Sequence, residues 1–205
     1  MNLVLDPAEF APVAAEIFML AAACVILIVD LFLSDRTRWV SYALSILALA
    51  GAAWLTSQTV PEARTVLLHG QYVADAMGSV LKLVTYIAAA LSFLYSREYL
   101  EQRGLFRGEY FVLSLLAVLG IQVMISANTL LSMYMGIEIL ALSLYALVAF
   151  DRESGVAAES AMKYFVLGAI ASGTLLYGIS IVYGLTGSLE LGAIAAAVAQ
   201  QNGAQ

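Results

Sequence analysis

The sequence has few of the residues that build most catalytic and metal sites. Cys24 is its only cysteine and His69 its only histidine among 205 residues. Disulfides, thiolate clusters and metal sites made of several histidines are therefore excluded within this sequence. Ser-His-Asp arrangements, Gly-rich phosphate loops and nucleotide fingerprints are also absent. These absences argue against redox chemistry and against a cofactor or metal held by this chain.

Charged residues are scarce as well. They make up 12% of the sequence, whereas 62% is hydrophobic, and the mean hydropathy is +0.91. Soluble domains are only about 45–50% apolar. The net charge of −6 argues against nucleic acid as a partner. The composition therefore predicts an integral membrane protein.

Six apolar runs are long enough to form membrane-spanning helices, which need about 17–25 residues. None of the runs shows the alternation of a barrel strand, and only helices then satisfy the backbone in lipid. We therefore predict an all-α integral membrane protein with six transmembrane helices. The runs are residues 12–33, 39–56, 78–95, 110–126, 129–150 and 164–185.

The arginines indicate how the helices are oriented. Six of them fall in the loops after the first, third and fifth runs, whereas the alternate loops contain only Arg64. By the positive-inside rule, the arginine-rich loops face the cytoplasm and the N-terminus lies outside. The start of the sequence is acidic, with Asp6 and Glu9, and this is unlike a secretory signal. The first run is therefore predicted to be a retained span.

Glu138 is the most unusual residue, because it lies near the middle of the fifth run. It is roughly 14 Å from residue 129 and roughly 18 Å from residue 150 along a helix axis. Tyr134 at i−4 and Tyr145 at i+7 are predicted to share its face. An ionisable group in lipid costs several kcal/mol and is typical of a proton or ion path. The alternative is a protonated glutamate that only holds helices together.

Three other charged residues are predicted at helix ends. Lys163 directly precedes the sixth run, where a lysine commonly extends to the interface, and Glu159 at i−4 suits a local ion pair. About ten residues of depth, or roughly 15 Å, separate Lys163 from Glu138, so no direct pair is expected between them. Glu16 and Lys82 lie in the first turns of their runs and are predicted to reach the interface.

Short segments indicate how the helices are connected. Ala127 and Asn128 barely separate the fourth and fifth runs, which predicts antiparallel neighbours. Gly168 and Ser172 form a small-xxx-small pair that predicts close packing of the sixth helix. The alanine-rich residues 189–199 predict a short helix on the outer surface.

Several motifs resemble the antiporter-like membrane subunits of respiratory complex I, and most of all the subunit N family of bacterial NADH-quinone oxidoreductase. The resemblance covers nearly the whole sequence. The motifs are VDLFL at residues 29–33, SREYL at 96–100, NTLLSMYMGIEILALSLYALV at 128–148, ESAMKYFVLGAIAS at 159–172 and YGLTGS at 183–188.

The resemblance implies a proton-pumping membrane-arm subunit in the bacterial inner membrane. It implies that Glu138 and Lys163 belong to the proton path, and Tyr134 and Tyr145 are candidates to support Glu138. It implies no cofactor in this chain, because NADH, FMN, iron-sulfur clusters and quinone belong to other subunits of the complex. The implied partners are other membrane-arm subunits and the lipid bilayer.

The resemblance also implies that the sequence is an N-terminal part. Family members have about fourteen helices, with further lysines on the seventh, eighth and twelfth, and six helices alone would not pump. Residues 1–127 are expected to form helices 1–4, and residues 128–205 to begin the proton-antiporter-like domain. Subunits of multisubunit cation/proton antiporters and of membrane-bound hydrogenases are alternatives, as is a structural scaffold without transport.

Overall fold

The computed structural model describes residues 11–34 and 37–203. This part of the chain forms seven helices and one two-stranded antiparallel hairpin. The elements are α1 (Ala14–Asp30), α2 (Trp39–Gln58), β1 (Thr65–Leu67), β2 (Tyr72–Ala74), α3 (Ala76–Gln102), α4 (Gly108–Ile125), α5 (Leu130–Val148), α6 (Gly155–Thr186) and α7 (Leu191–Gly203).

The helices confirm the predicted all-α membrane architecture. Within the described residues, the five helices from α2 to α6 are long and apolar enough to cross a membrane. The predicted first span appears as α1, an apolar helix of 17 residues that is about 26 Å long. The predicted location of the N-terminus concerns residues 1–10, which lie outside the described residues, as does Arg36.

Helices α1 to α4 share one apolar core, and aromatic rings gather in it around Phe111 of α4. The rings of Phe93, Tyr110, Tyr42 and Phe106 contact Phe111 edge-on, with centroids 5.2 to 5.5 Å apart. Such edge-to-face pairs contribute about 0.5–1.5 kcal/mol each beyond area burial. This cluster joins helices α2, α3 and α4 and the segment that precedes α4.

Helices α4 and α5 pack against each other more extensively than any other pair of described elements. They cross at Gly120 and Gly136. A Cβ at Gly120 would lie 2.6 Å from the backbone nitrogen of Leu140 and 2.8 Å from the carbonyl oxygen of Gly136. Only glycine allows this approach, because both obstructing atoms belong to the backbone. The predicted packing of these neighbours across the short link is confirmed.

Helix α6 packs mainly against α5 and is exposed over most of its surface. Its 32 residues span about 48 Å, which is longer than the roughly 30 Å hydrocarbon core. It begins nine residues before the predicted run, at Gly155, and the Ser154 side chain caps it by accepting a hydrogen bond from the Ala157 N–H. Lys163 is therefore two turns inside the helix and not at its start. The predicted short helix near the end of the sequence is α7.

Backbone pairing around Asn128 joins three segments at one end of the bundle, which we call the hairpin end. The Asn128 N–H donates to the carbonyl of Gln71 at 3.1 Å, and its side-chain amide donates to the carbonyl of Gly70 at 2.8 Å. Its own carbonyl accepts from the Leu191 N–H at 3.1 Å. The hairpin, the α4–α5 link and the start of α7 are thus held together. Two β-bridges extend the pairing, Tyr72 with Ala127 and Thr129 with Glu190.

Candidate functional site

Glu138 forms a hydrogen-bonded cluster with α6 near the middle of α5. It is the ninth of the 19 residues of this helix, and its side chain is half-buried. The hydroxyl of Ser172 donates a hydrogen bond to Glu138 Oε1. The same hydroxyl oxygen lies 3.0 Å from Tyr134 Oη. Ser172 donates its only hydroxyl proton to Glu138, so Tyr134 is the donor to Ser172. The three groups thus form one chain of hydrogen bonds that runs from Tyr134 through Ser172 to Glu138.

Tyr145 also faces α6, about two turns along α5 from Glu138. Its hydroxyl lies against the backbone of Gly168, where an added Cβ would collide with Tyr145 Oη. Its ring packs edge-on against Tyr164 and Phe165, with centroids 4.9 and 5.5 Å away. The structure thus places Tyr134, Glu138 and Tyr145 on the α5 face that contacts α6, as the helical spacing predicts.

Lys163 forms the predicted local ion pair and does not meet Glu138. Its Nζ lies 2.5 Å from Glu159 Oε1, and these side chains are 70% and 66% exposed. Ser172, the partner of Glu138, is nine residues further along α6, or about 14 Å. An exposed pair of this kind contributes about 0–1 kcal/mol to stability.

Tyr145 occupies the interval between Lys163 and Glu138. Gly168, where its hydroxyl lies, is five residues after Lys163 and four residues before Ser172. Its ring contacts Tyr164, the residue next to Lys163. Hydroxyl-bearing side chains therefore line the α5–α6 interface from the level of Lys163 to that of Tyr134. Ser172 and Tyr164 were not recognised as site residues from the sequence, where residues 168 and 172 indicate only helix packing.

A second polar cluster lies near the hairpin end, between α1 and α3. Lys82 Nζ is 2.5 Å from Glu16 Oε1, and the two residues are 5% and 6% exposed. Lys82 also donates to Tyr72 Oη at 2.9 Å, and this hydroxyl lies 2.8 Å from the Pro12 carbonyl oxygen and 3.1 Å from Glu16 Oε1. The hydroxyl of Ser126 is 3.5 Å from Glu16 Oε1.

The prediction that Glu16 and Lys82 reach the interface is wrong. The side chains turn toward each other, because opposite charges at similar depth on two helices neutralise one another, and β2 covers them with Tyr72. Burial raises the pKa of Tyr72 above its usual value, and the charge of Glu16 raises it further. The Tyr72 hydroxyl therefore keeps its proton and can act as a donor. The sequence signal was an acidic and a basic residue close to the same end of two apolar helices.

The fold defines a multi-pass membrane protein, and the Glu138 cluster places a carboxyl group near the middle of one of its apolar helices. Comparison with known proteins agrees with this class. Residues 127–205 match the family described as NADH:quinone oxidoreductase/Mrp antiporter, TM.

Individual relatives are more specific. The chain is 52% identical to the NADH-quinone oxidoreductase subunit N of Thiobacillus denitrificans, over 95% of this chain and 40% of that protein. It is 47% identical to the subunit N of Azoarcus sp., over 98% of this chain and 40% of that protein. The predicted resemblance to subunit N is therefore confirmed. The chain spans about 40% of the length of these curated relatives.

Solved structures show the same fold. A chain of the respiratory complex I from Thermus thermophilus with bound Aureothin superposes with a TM-score of 0.72 at 29% identity, over 87% of this chain and 38% of that chain. A chain of the membrane-bound sulfane sulfur reductase, an archaeal respiratory membrane complex, gives a TM-score of 0.67 at 23% identity, over 91% of this chain and 39% of that chain. The second likeness shows the fold alone.

Proposed function

We propose that this chain is a proton-translocating membrane-arm subunit, or the N-terminal part of one, of an NADH-quinone oxidoreductase, the respiratory complex I. In this proposal it couples electron transfer from NADH to quinone elsewhere in the complex to proton movement through the membrane. The observation that carries the proposal is the position of Glu138, at the middle of an apolar helix and bonded to Ser172 of the next helix. The names of the similar proteins support it.

The Glu138 cluster has the groups that a proton path requires. A carboxyl group binds and releases a proton, and the Tyr134 and Ser172 hydroxyls each have one O–H donor and acceptor lone pairs. A chain of such groups can be polarised in either direction when the charge of Glu138 changes. We propose this chain as the local element of the path, with Tyr145 as the next hydroxyl toward Lys163.

Lys163 acts on Glu138 in this proposal through Tyr145 and not by direct attraction. Over about 14 Å and at an effective dielectric of about 20, two unit charges interact by about 1 kcal/mol. That energy shifts a protonation equilibrium by less than about tenfold, and exposure of Lys163 reduces it further. Tyr145 lies in the interval and contacts the residue next to Lys163.

We further propose that α1 is a sixth span and that the hairpin end faces outward. The arginines after α3 and α5 support this orientation, because they lie at the opposite end of the bundle and arginine-rich loops face the cytoplasm. At that end Arg152 pairs with Glu109 at 2.8 Å. The chain would then form the N-terminal part of a roughly fourteen-helix fold in a bacterial inner membrane. Residues 1–127 would form helices 1–4 and residues 128–205 the start of the antiporter-like domain, and the family match from residue 127 supports this boundary.

Other subunits of the complex would be the partners and would hold NADH, FMN, iron-sulfur clusters and quinone. A second candidate function is a subunit of a cation/proton antiporter, because the matching family also includes Mrp antiporters. A membrane-bound hydrogenase subunit is a related alternative. The subunit N names of relatives at 47–52% identity favour the first proposal over both.

The proposal is tested by Glu138→Gln in the complete subunit within the assembled complex. Glutamine keeps an oxygen that accepts from Ser172 but cannot exchange a proton, so we expect proton pumping and coupled quinone reduction to fall several-fold. The amount of assembled complex should remain close to normal. The matched control is Glu98→Gln, which neutralises an exposed carboxylate near the end of α3. Normal pumping in assembled Glu138→Gln complex would refute the proposal.

A further inference from the structure

Three buried side-chain atoms in the described part of the chain have no protein hydrogen-bond partner. They are Glu16 Oε2 and both polar atoms of the Gln122 amide. Gln122 is fully buried within α4. Native proteins rarely leave such atoms unpaired, and bound water commonly supplies the missing partners.

The unpaired atoms of Glu16 and Gln122 belong to one region of the bundle. Gln122 precedes Ser126 by one turn on the same face of α4, which is a rise of about 6 Å. The Ser126 hydroxyl lies 3.5 Å from Glu16 Oε1. Lys82, Tyr72 and Ser126 all approach Oε1 of this carboxylate, which leaves Oε2 without a protein donor.

Two cavities of different size adjoin the Glu16–Lys82 pair. A cleft of about 200 Å³ at the hairpin end is lined by Glu16, Tyr72 and Ser126. It has room for several water molecules, each of which occupies about 30 Å³ in the liquid. A small cavity of about 10 Å³ is lined by Lys82, Tyr72 and Ser126 and is close to the size of a single water molecule.

We propose that the Glu16–Lys82 pair is a second ionisable site of this chain, and that water enters it from the hairpin-end cleft and binds between Glu16 Oε2 and the Gln122 amide. The ligand is water, which can donate to the carboxylate and to the amide oxygen and accept from the amide N–H groups. The site lies among α1, α3 and α4, whereas the Glu138 cluster lies between α5 and α6. The inference does not depend on the proposed function.

The first test is an experimental structure of the complete subunit in its assembled complex, at a resolution that shows ordered water. We expect density for water within hydrogen-bond distance of Glu16 Oε2 and of the Gln122 amide. Direct pairing of these groups with protein atoms, or a dry site, would overturn the proposal.

The second test is the sign of a stability change in Gln122→Met, which replaces the amide with an apolar group of similar shape. If the amide binds water that also serves Glu16, the thermal midpoint of the complex falls, because the hydrogen bonds between the amide and the water are lost. If the amide is dry and unpaired, the midpoint rises, because an uncompensated polar group has been removed. A rise would overturn the proposal.

Two further variants connect the effect to Glu16. Leu119→Met is the matched control, because it changes a buried α4 side chain that is apolar and should leave the water in place. In a Glu16→Leu/Lys82→Met background no charge and no polar group at residue 16 remains to hold the water, so the fall caused by Gln122→Met should shrink. An undiminished fall in that background would show that water, if bound, does not join Gln122 to Glu16, and would overturn this part of the inference.

Discussion

Gly120→Ala tests how closely the packing of α4 and α5 governs the Glu138 site. The added Cβ would lie 2.6 Å from the Leu140 nitrogen, whereas an ordinary van der Waals contact begins at 3.4 Å, so the backbones must separate by about 0.8 Å. Overpacking of this kind typically costs about 1–3 kcal/mol. The better helix propensity of alanine offsets about 1 kcal/mol of this cost. We therefore expect a net loss of about 0–2 kcal/mol, or a shift of up to roughly 30-fold in the folding equilibrium.

The displacement should also affect proton pumping, because the obstructing backbone atoms belong to Gly136 and Leu140, two residues on either side of Glu138. A shift of α5 by about 0.8 Å moves the Glu138 carboxylate relative to Ser172 on α6. The assay uses the complete subunit in the assembled complex. The fraction of intact complex is measured after stepwise heating, and proton pumping is measured per assembled complex.

The control is Gly155→Ala at the first residue of α6, where an added Cβ meets no atom within 4 Å. This variant should keep or slightly raise stability and should pump normally. If Gly120→Ala matches Gly155→Ala in both heat resistance and pumping, the close crossing does not position Glu138 and the reasoning fails.

Three other predictions follow from the structure. Lys82→Met leaves the buried Glu16 without its cation and should cost about 3–5 kcal/mol of stability, whereas Glu16→Gln/Lys82→Met should recover most of that stability. Thermal unfolding measures both variants, and an equal loss of stability in the two would contradict this prediction. Lys163→Arg should slow pumping nearly as much as Lys163→Ala, because arginine cannot release a proton; full activity with arginine would reduce Lys163 to a fixed charge. In a Cys24→Ala background, a cysteine introduced as Ser96→Cys should react with impermeant reagent from the cytoplasmic side, and labelling from outside would reverse the proposed topology.

The hydrophobic pattern predicted the helix centres well and two helix ends poorly. The run predicted at residues 39–56 corresponds to α2, and the run at 110–126 differs from α4 by two residues at most at either end. Helix α3 extends seven residues beyond its predicted run, to Gln102, and α6 begins nine residues before its own. In both places the helix continues through charged turns such as Ser96 to Gln102. A search for runs of apolar residues finds only the segment of a helix that lies in lipid. The backbone hydrogen bonds of the helix continue beyond that segment into charged residues.

The candidate site was predictable where the relevant contacts are local. Helical spacing placed Tyr134 and Tyr145 on the face of Glu138 and paired Lys163 with Glu159. The roles of these residues in proton transfer remain predictions. The Glu16–Lys82 pair joins residues that are 66 positions apart, and Tyr72 reaches it from a strand of three residues. Strands this short have no detectable alternation, so the cover that buries the pair could not be read from the sequence.

The backbone pairing around Asn128 fixes the order in which the two sides of this pairing can form. Residues 127–129 pair on one side with the hairpin, which precedes them in the chain, and on the other side with residues 189–191. The second pairing cannot form until α6 has inserted into the bilayer, because α6 connects the opposite end of the bundle with residues 189–191 at the hairpin end. Closure of this end therefore follows the membrane insertion of α6. A nascent chain arrested before residue 189 would expose the unpaired strand edge of the link, which is a natural target for chaperones or proteases on that side of the membrane.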